Sequence, residues 1–182
     1  MTRSTIAATG RSLRHDKQRG TAELLQRGFR DALGRYPTGV VLITAMTGDG
    51  PVGMACNSFT SVSLDPPMVA FYPMPSSRTW AALRPIGEFA VSILRADHEH
   101  VSRRFARKDV DKFADDDWTL TPAGHPVLAD ALGWLDARIE TVAHAGDHDV
   151  VLASATSWSE ASAGEPLVFF AGNYHSLATR AA

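Results

Sequence analysis

The sequence predicts a mainly β protein with a few helices, closing as an antiparallel barrel. Short runs rich in β-branched residues recur along its 182 residues, turn-forming residues separate them, and helical periodicity is confined to a few stretches. A regular alternation of strand and helix, which would favour a parallel sheet, is absent.

The first element is a helix beginning at Thr21, its possible N-cap, with Leu24, Leu25, Phe29 and Leu33 near helical spacing. Gly34 and Tyr36-Pro37 end it. Gly39 to Met46 then reads as a strand, Thr47-Gly-Asp-Gly50 as a turn, and Pro51 to Phe59 as the returning strand. Asn57 to Pro67 reads as a polar loop before a third strand, Met68 to Tyr72. A serine-capped helix follows from Ser76 to Arg84, then a strand from Phe89 to Leu94. Asp97 caps a polar helix reaching about Lys108. Asp109 to Pro126 is loop-like, and its Asp115-Asp-Asp117 run is expected on a solvated surface. Three strands complete the chain: Trp134 to Val142, Asp149 to Trp158 and Leu167 to Phe170.

At this length one domain is expected, covering 21–182, behind a disordered basic tail at 1–20 that carries Arg3, Arg11, Arg14, Lys17 and Arg19. The formal charge of −2 argues against a nucleic-acid partner. The most apolar stretch, Gly39 to Met46, falls far short of the ~20 residues of a membrane span. The tail lacks the apolar core of a signal peptide, so a cytoplasmic setting is expected. Cys56 stands alone, cannot form an intramolecular disulfide, and reads as a small buried hydrophobe. No histidine spacing matches a metal site, and His98, His100 and His144 read as surface or structural residues.

Two segments could carry chemistry. Asn57 to Pro67 is rich in hydroxyls beside Phe59, Val62 and Leu64. It reads equally as a capped turn satisfying its own backbone and as a loop offering donors and acceptors to a polar, planar ligand. Ser76-Ser-Arg-Thr79 combines hydroxyls with a guanidinium. A helix cap and a phosphate site are both open there. Dinucleotide, phosphate-loop and serine-nucleophile signatures are missing.

Taken in order, several motifs resemble the flavin reductase family, the small reductase components of two-component flavin-dependent monooxygenases. They are Phe29-Arg30, Tyr36-Pro-Thr-Gly-Val40, Gly53-Met-Ala-Cys-Asn-Ser-Phe59, Ser61-Val-Ser-Leu-Asp-Pro-Pro67, Phe105-Ala106, Asp111-Lys-Phe113, Gly146-Asp-His148 and Gly172-Asn-Tyr-His175. Each is weak alone, and their order and spacing make the signal strong. The resemblance runs from about Phe29 to Leu177 and implies an FMN-binding split β-barrel, usually a homodimer. It implies an enzyme that reduces FMN or FAD with NADH or NADPH and supplies the reduced flavin to a separate oxygenase.

Position by position, the resemblance implies that Thr38, Gly39 and Val40 line the flavin site. Asn57 and Ser58 would lie along the isoalloxazine and ribityl part, with Ser61, Val62 and Ser63 continuing that wall. Ser77 and Thr79 would contact the phosphate, with Arg78 beside them. Phe105, Lys112 and Phe113 would close over the phosphate or adenine end. His148, Tyr174 and His175 match nicotinamide-side positions, and His148 alone is a candidate for an acid-base role. Many relatives carry a cysteine where this chain reads Asp136-Ala-Arg138, so no role is assigned there. Two other readings share the barrel: a flavin carrier or redox sensor without turnover, and a pyridoxamine-phosphate-oxidase-like enzyme. The first has no need of nicotinamide motifs, and the second needs a basic pocket for another phosphate, which the sequence does not show.

Overall fold

The computed structural model describes residues 23–177, which divide into two compact units. The described part of the smaller unit is residues 23–37 with Phe170–Gly172. It contains helix α1 (23–33), followed by a turn in which the Gly34 carbonyl accepts from Ala171 N at 2.8 Å. Leu24, Leu25, Phe29 and Leu33 are all more than half exposed, so the apolar face read from the sequence is uncovered. Thr21 and the basic tail lie outside the described residues.

The larger unit holds the sheets. Its strands are β1 (Thr38–Gly39), β2 (Val41–Thr47), β3 (Gly50–Cys56), β4 (Thr60–Leu64), β5 (Pro67–Phe71), β6 (Glu88–Ile93), β7 (Trp118–Leu120), β8 (Pro126–Leu128), β9 (Gly133–Ala145), β10 (His148–Trp158), β11 (Leu167–Phe170) and β12 (Asn173–Ser176). Helices α2 (Arg78–Leu83) and α3 (Glu99–Phe105) interrupt them, α3 being entered through a 3₁₀ turn at Ala96–His98. Every strand pair whose register is described is antiparallel. The main sheet runs β3-β2-β6-β9-β10-β5-β4, with β1-β11-β12 and the β7-β8 hairpin beside it.

Strand alternation explains the two cores. Odd-numbered Val41, Ile43 and Ala45 of β2 join Phe71, Phe89, Val91 and Val151, and α2 covers them with Trp80 and Leu83. Leu42 of the same strand faces the other way and packs with Val40, Leu94, Leu128 and Leu167 beneath Val101 and Phe105 of α3. Two faces of one strand thus feed separate clusters, as a period of two requires.

The strands read from the sequence are present, with differences of physical interest. The polar segment after Cys56 is not loop throughout: Thr60–Leu64 forms β4 on the sheet edge, bulged between Ser61 and Ser63 against Val69 and Met68. Hydroxyl-rich sequence is tolerated there because one side of an edge strand faces solvent. The helix expected from Asp97 to Lys108 ends at Phe105. The stretch after Asp109 contains the β7-β8 hairpin, and β12 was not foreseen. Asp115-Asp-Asp117 is not uniformly solvated, since Asp116 is mostly buried and pairs with Arg104 and His100. Asp136, given no role from sequence, is 1% exposed and accepts from Thr121 Oγ1 at 2.6 Å, Ser157 Oγ at 2.8 Å and Ala123 N at 3.3 Å. Among the described residues no helix is long and apolar enough to cross a membrane.

Candidate active site

One cavity of about 1140 Å³ opens in the larger unit. It exceeds the roughly 300–1,000 Å³ usual for a small-molecule site, and that is room for more than one planar ligand. Val52, Met54 and Cys56 of β3 supply an apolar wall, and Val150 of β10 another. Polar groups enter from the chain linking β3 to β4, from the start of α2 and from the segment after α3.

Ser58 joins the first of these to the end of β5. Its Oγ accepts from Tyr72 N at 3.2 Å and donates to Tyr72 O at 3.4 Å, while Cys56 Sγ lies 3.2 Å away. Burial pushes the Cys56 thiol up from its ordinary 9.0, against the lowering effect of its hydrogen bonds to Ser58. The cysteine is accordingly a wall residue and a poor nucleophile.

At the second approach, Ser77 caps α2 by accepting from Trp80 N at 3.2 Å. Thr79 donates to the Gly53 carbonyl at 3.4 Å, and Lys112 Nζ donates to the same oxygen at 3.0 Å. Arg78 pairs with Asp109 at 3.5 Å, joining the start of α2 to the turn after α3. Two effects depress Lys112 below its ordinary 10.5: partial burial first, then the neighbouring charge of Arg78. A desolvated ammonium beside a second cation and two hydroxyls suits an anion, because the anion relieves both the repulsion and the lost hydration.

Gly53 makes this junction possible. A β-carbon there would stand 2.6 Å from Phe105 Cε1, 3.0 Å from Thr44 Cγ2 and 3.2 Å from the Ile43 carbonyl. Only glycine lets the Phe105 ring lie on β3. Phe105 in turn packs edge-on to Phe113 at 5.2 Å, with Trp118 4.8 Å behind Phe113, and Lys112 Nζ sits 5.9 Å from the Phe105 ring centre.

The β9-β10 hairpin also lines the cavity and turns at Gly146 with a φ of +65°. His148 lines the cavity there and bonds through Nδ1 to Asp147 Oδ1 at 2.8 Å, and this bond holds the Asp147 carboxyl below its ordinary 3.8.

The cavity thus brings together Asn57, Ser58, Ser77, Arg78, Thr79, Phe105, Lys112 and His148 of the residues singled out from sequence. Phe113 stands behind Phe105 and outside the lining. Thr38 and Gly39 pair with β11, and Val40 is buried in the second core. Ser61, Val62 and Ser63 lie on edge strand β4. The Tyr174 hydroxyl bonds Ser102 Oγ at 2.8 Å under the Arg103 guanidinium, and exposed His175 follows it in β12. Sequence reasoning missed Met54, Met74, Arg107 and Lys108 as lining residues. Met54 was legible from alternation, since Val52 and Cys56 share its side of β3. The two cations were hidden because the expected helix runs about three residues past its real end at Phe105.

Comparison with known proteins agrees with this architecture. The sequence matches the Flavin reductase like domain over residues 33–178. It is 43% identical over 148 residues to the reductase subunit of a flavin-dependent monooxygenase from Rhodococcus jostii, covering 81% of this chain and 76% of that protein. It is 39% identical over 148 residues to an FMN reductase (NADH) of Agrobacterium fabrum, covering 81% and 84%. The crystal structure of nitrilotriacetate monooxygenase component B from Mycobacterium thermoresistibile superposes with a TM-score of 0.83 at 40% identity, covering 86% of this chain and 89% of that one.

Proposed function

The chain belongs to the flavin reductase-like family, and from that premise we propose that it is an NADH-dependent flavin reductase supplying reduced flavin to a separate monooxygenase. The observation that carries this reading is the cavity itself, whose lining combines an apolar wall for planar rings, a cationic, hydroxyl-bearing group of residues and a histidine. Flavin and nicotinamide supply the chemistry when bound, a hydride moving from the nicotinamide C4 to flavin N5.

The protein's task is then to position, orient and keep water out. Val52, Met54 and Val150 give the rings an apolar surface, and Asn57 and Ser58 offer polar groups along their edge. Ser77, Thr79 and Lys112, with Arg78, receive the flavin phosphate. His148, its ring fixed by Asp147, orients the nicotinamide amide. Hydride transfer between two bound cofactors requires neither a nucleophile nor a metal.

A homodimer and a cytoplasmic setting belong to the same proposal. Edge strand β4 carries exposed Val62 and Leu64, an apolar edge that a second copy would cover. The site residues on β1 and β4 that stand apart from the cavity are proposed to act in that assembly.

The test is nicotinamide oxidation under anaerobic conditions. NADH is expected to be consumed only when a flavin is added, in proportion to flavin reduced. Flavin binding without NADH oxidation would instead select the carrier or sensor reading.

A further inference from the structure

The three aspartates of the Asp115-Asp-Asp117 run make three different contacts. Asp115 is exposed and reaches Arg104 only at 3.8 Å. The Asp117 carbonyl accepts from Ala129 N at 3.0 Å, which ties the chain to the residue after β8. Asp116 turns inward: its side chain is 11% exposed and pairs with Arg104, itself only 18% exposed. Arg104 lies in the last turn of α3, and its guanidinium also donates to the Ala114 carbonyl. His100 Nε2 approaches the other Asp116 oxygen at 3.4 Å, from an exposed ring. Neither Arg104 nor Asp116 lines the main cavity.

What this pair holds is the segment that carries Lys112. Residues 106–117, between α3 and β7, belong to no helix or strand, so side-chain contacts have to fix them. Two left-handed residues bend the segment, Asp109 at φ 59° and Asp115 at φ 65°. Arg78 meets Asp109 at 3.5 Å, but both side chains are exposed and solvent screens the pair. Phe113 packs on Phe105 and Trp118, and apolar packing is non-directional. Arg104 supplies a directional contact, because its planar fork holds the Ala114 carbonyl and the Asp116 carboxylate together. The peptide it grips is two residues beyond Lys112. A lysine stem is long and rich in rotamers, so setting its ammonium on the Gly53 carbonyl calls for a fixed backbone.

We propose that Arg104 and Asp116 are positioning residues for Lys112, holding its ammonium where the flavin phosphate is received without touching the flavin themselves. This rests on the flavin-reductase reading above. The guanidinium acts on the segment directly, through the Ala114 carbonyl, and the Asp116 carboxylate keeps the guanidinium in place. Burial of both partners shields this pair from salt, unlike the exposed pair of Arg78 and Asp109. The lysine is therefore set from α3, the same helix whose Phe105 ring lies against Gly53.

Titration of FMN and of riboflavin against the full chain, followed by flavin fluorescence, tests the assignment, because riboflavin lacks the phosphate. Arg104→Met is expected to weaken FMN binding about tenfold, as for one charge-assisted hydrogen bond lost, and to leave riboflavin within about twofold. In a Lys112→Met background the same substitution should weaken FMN no further, since the lysine it positions is gone. Arg104→Lys, a point charge that cannot hold both acceptors, should give an intermediate loss. Arg104→Met with Asp116→Leu replaces the buried pair by apolar side chains, and repeats the test should the single variant fold poorly with Asp116 unpaired. Equal losses for FMN and riboflavin would mark a merely structural role and overturn the proposal. Additive losses from Arg104→Met and Lys112→Met overturn it as well, as does wild-type FMN affinity in Arg104→Met or in Lys112→Met. If neither flavin binds the wild type, the flavin-reductase reading itself has failed.

Discussion

The indole N–H of Trp80 donates to Asp149 Oδ2 at 2.9 Å, joining α2 to the hairpin that carries His148. Trp80 is 1% exposed and packs edge-on against Phe71, so the donor is immobile. Asp149 also takes His144 Nδ1 at 3.3 Å and lies 3.9 Å from Arg84, and its own backbone N–H bonds the Pro73 carbonyl. The start of the cavity-lining helix α2 and the hairpin bearing His148 are therefore braced against each other through one carboxylate.

Asp149 should matter to both stability and donor binding. The Trp80 bond, with smaller help from His144 and Arg84, holds its carboxyl below the ordinary 3.8 against the opposing effect of burial. A depressed folded-state value means that the unfolded chain binds the proton more tightly. Its stabilisation is thus complete at neutral pH and lost as pH falls from about 4 through the folded value. Acid unfolding followed by circular dichroism should shift to higher pH in Asp149→Asn. Steady-state kinetics at neutral pH should show a raised nicotinamide KM with a smaller change for flavin. A variant with wild-type acid unfolding would remove this role.

His148→Ala should raise the KM for NADH more than that for flavin, by about tenfold if an orienting hydrogen bond is lost. Asp147→Asn, which keeps an acceptor beside the ring, should fall between the two. An unchanged nicotinamide KM would take His148 out of the site.

Lys112 predicts an alkaline limit to phosphate binding. Its ammonium is lowered from 10.5 by burial and by Arg78, so it loses its proton earlier than a surface lysine. Affinity for FMN should decline as pH rises toward 10.5, whereas riboflavin, lacking the phosphate, should not share this component. Subtracting the riboflavin profile isolates the lysine, and Lys112→Met should flatten the difference. A difference profile with no alkaline fall in the wild type would contradict the assignment.

Gly53→Ala forces a methyl group to within 2.6 Å of the Phe105 ring. Phe105 is 2% exposed and cannot swing away freely. Overpacking of this kind costs about 1–3 kcal/mol, visible as a lower Tm. It should also weaken flavin binding, because the displaced ring and the Gly53 carbonyl both bear on Lys112. Gly133→Ala, whose β-carbon would meet only Ser159 Oγ at 3.4 Å and Ile93 at 3.8 Å, is the milder comparison.

Asp136→Ala leaves the Thr121 and Ser157 hydroxyls and the Ala123 N–H facing a void. Buried donors stripped of a partner cost about 1–3 kcal/mol each, so a loss of at least about 2 kcal/mol is expected in urea unfolding. A loss below about 1 kcal/mol would show that water replaces the carboxylate.

The strands were legible because each is a short apolar run bounded by turn residues, as Val41–Thr47 and Gly50–Cys56 illustrate on either side of their turn. Half of the site was legible for a different reason: Ser58, Thr79 and His148 sit in motifs whose combined order identifies a family. What escaped is what distance along the chain conceals. Asp149 follows His148, yet nothing local announces that its partner is Trp80, 69 residues earlier. Asp136 looked like a strand residue of no account because its three donors come from two other segments. Arg107 and Lys108 read as the end of a helix, whereas the chain unwinds after Phe105 and swings them to the cavity mouth.

The lone thiol acquires a meaning once the product is considered. Reduced flavin reacts with dioxygen and yields peroxide, and a thiolate is the form of cysteine that peroxide attacks. Cys56 lies in the wall of the cavity, and burial raises its thiol above the ordinary 9.0, which disfavours the thiolate. An enzyme whose product is oxygen-sensitive thereby carries its single sulfhydryl with the peroxide-reactive form disfavoured.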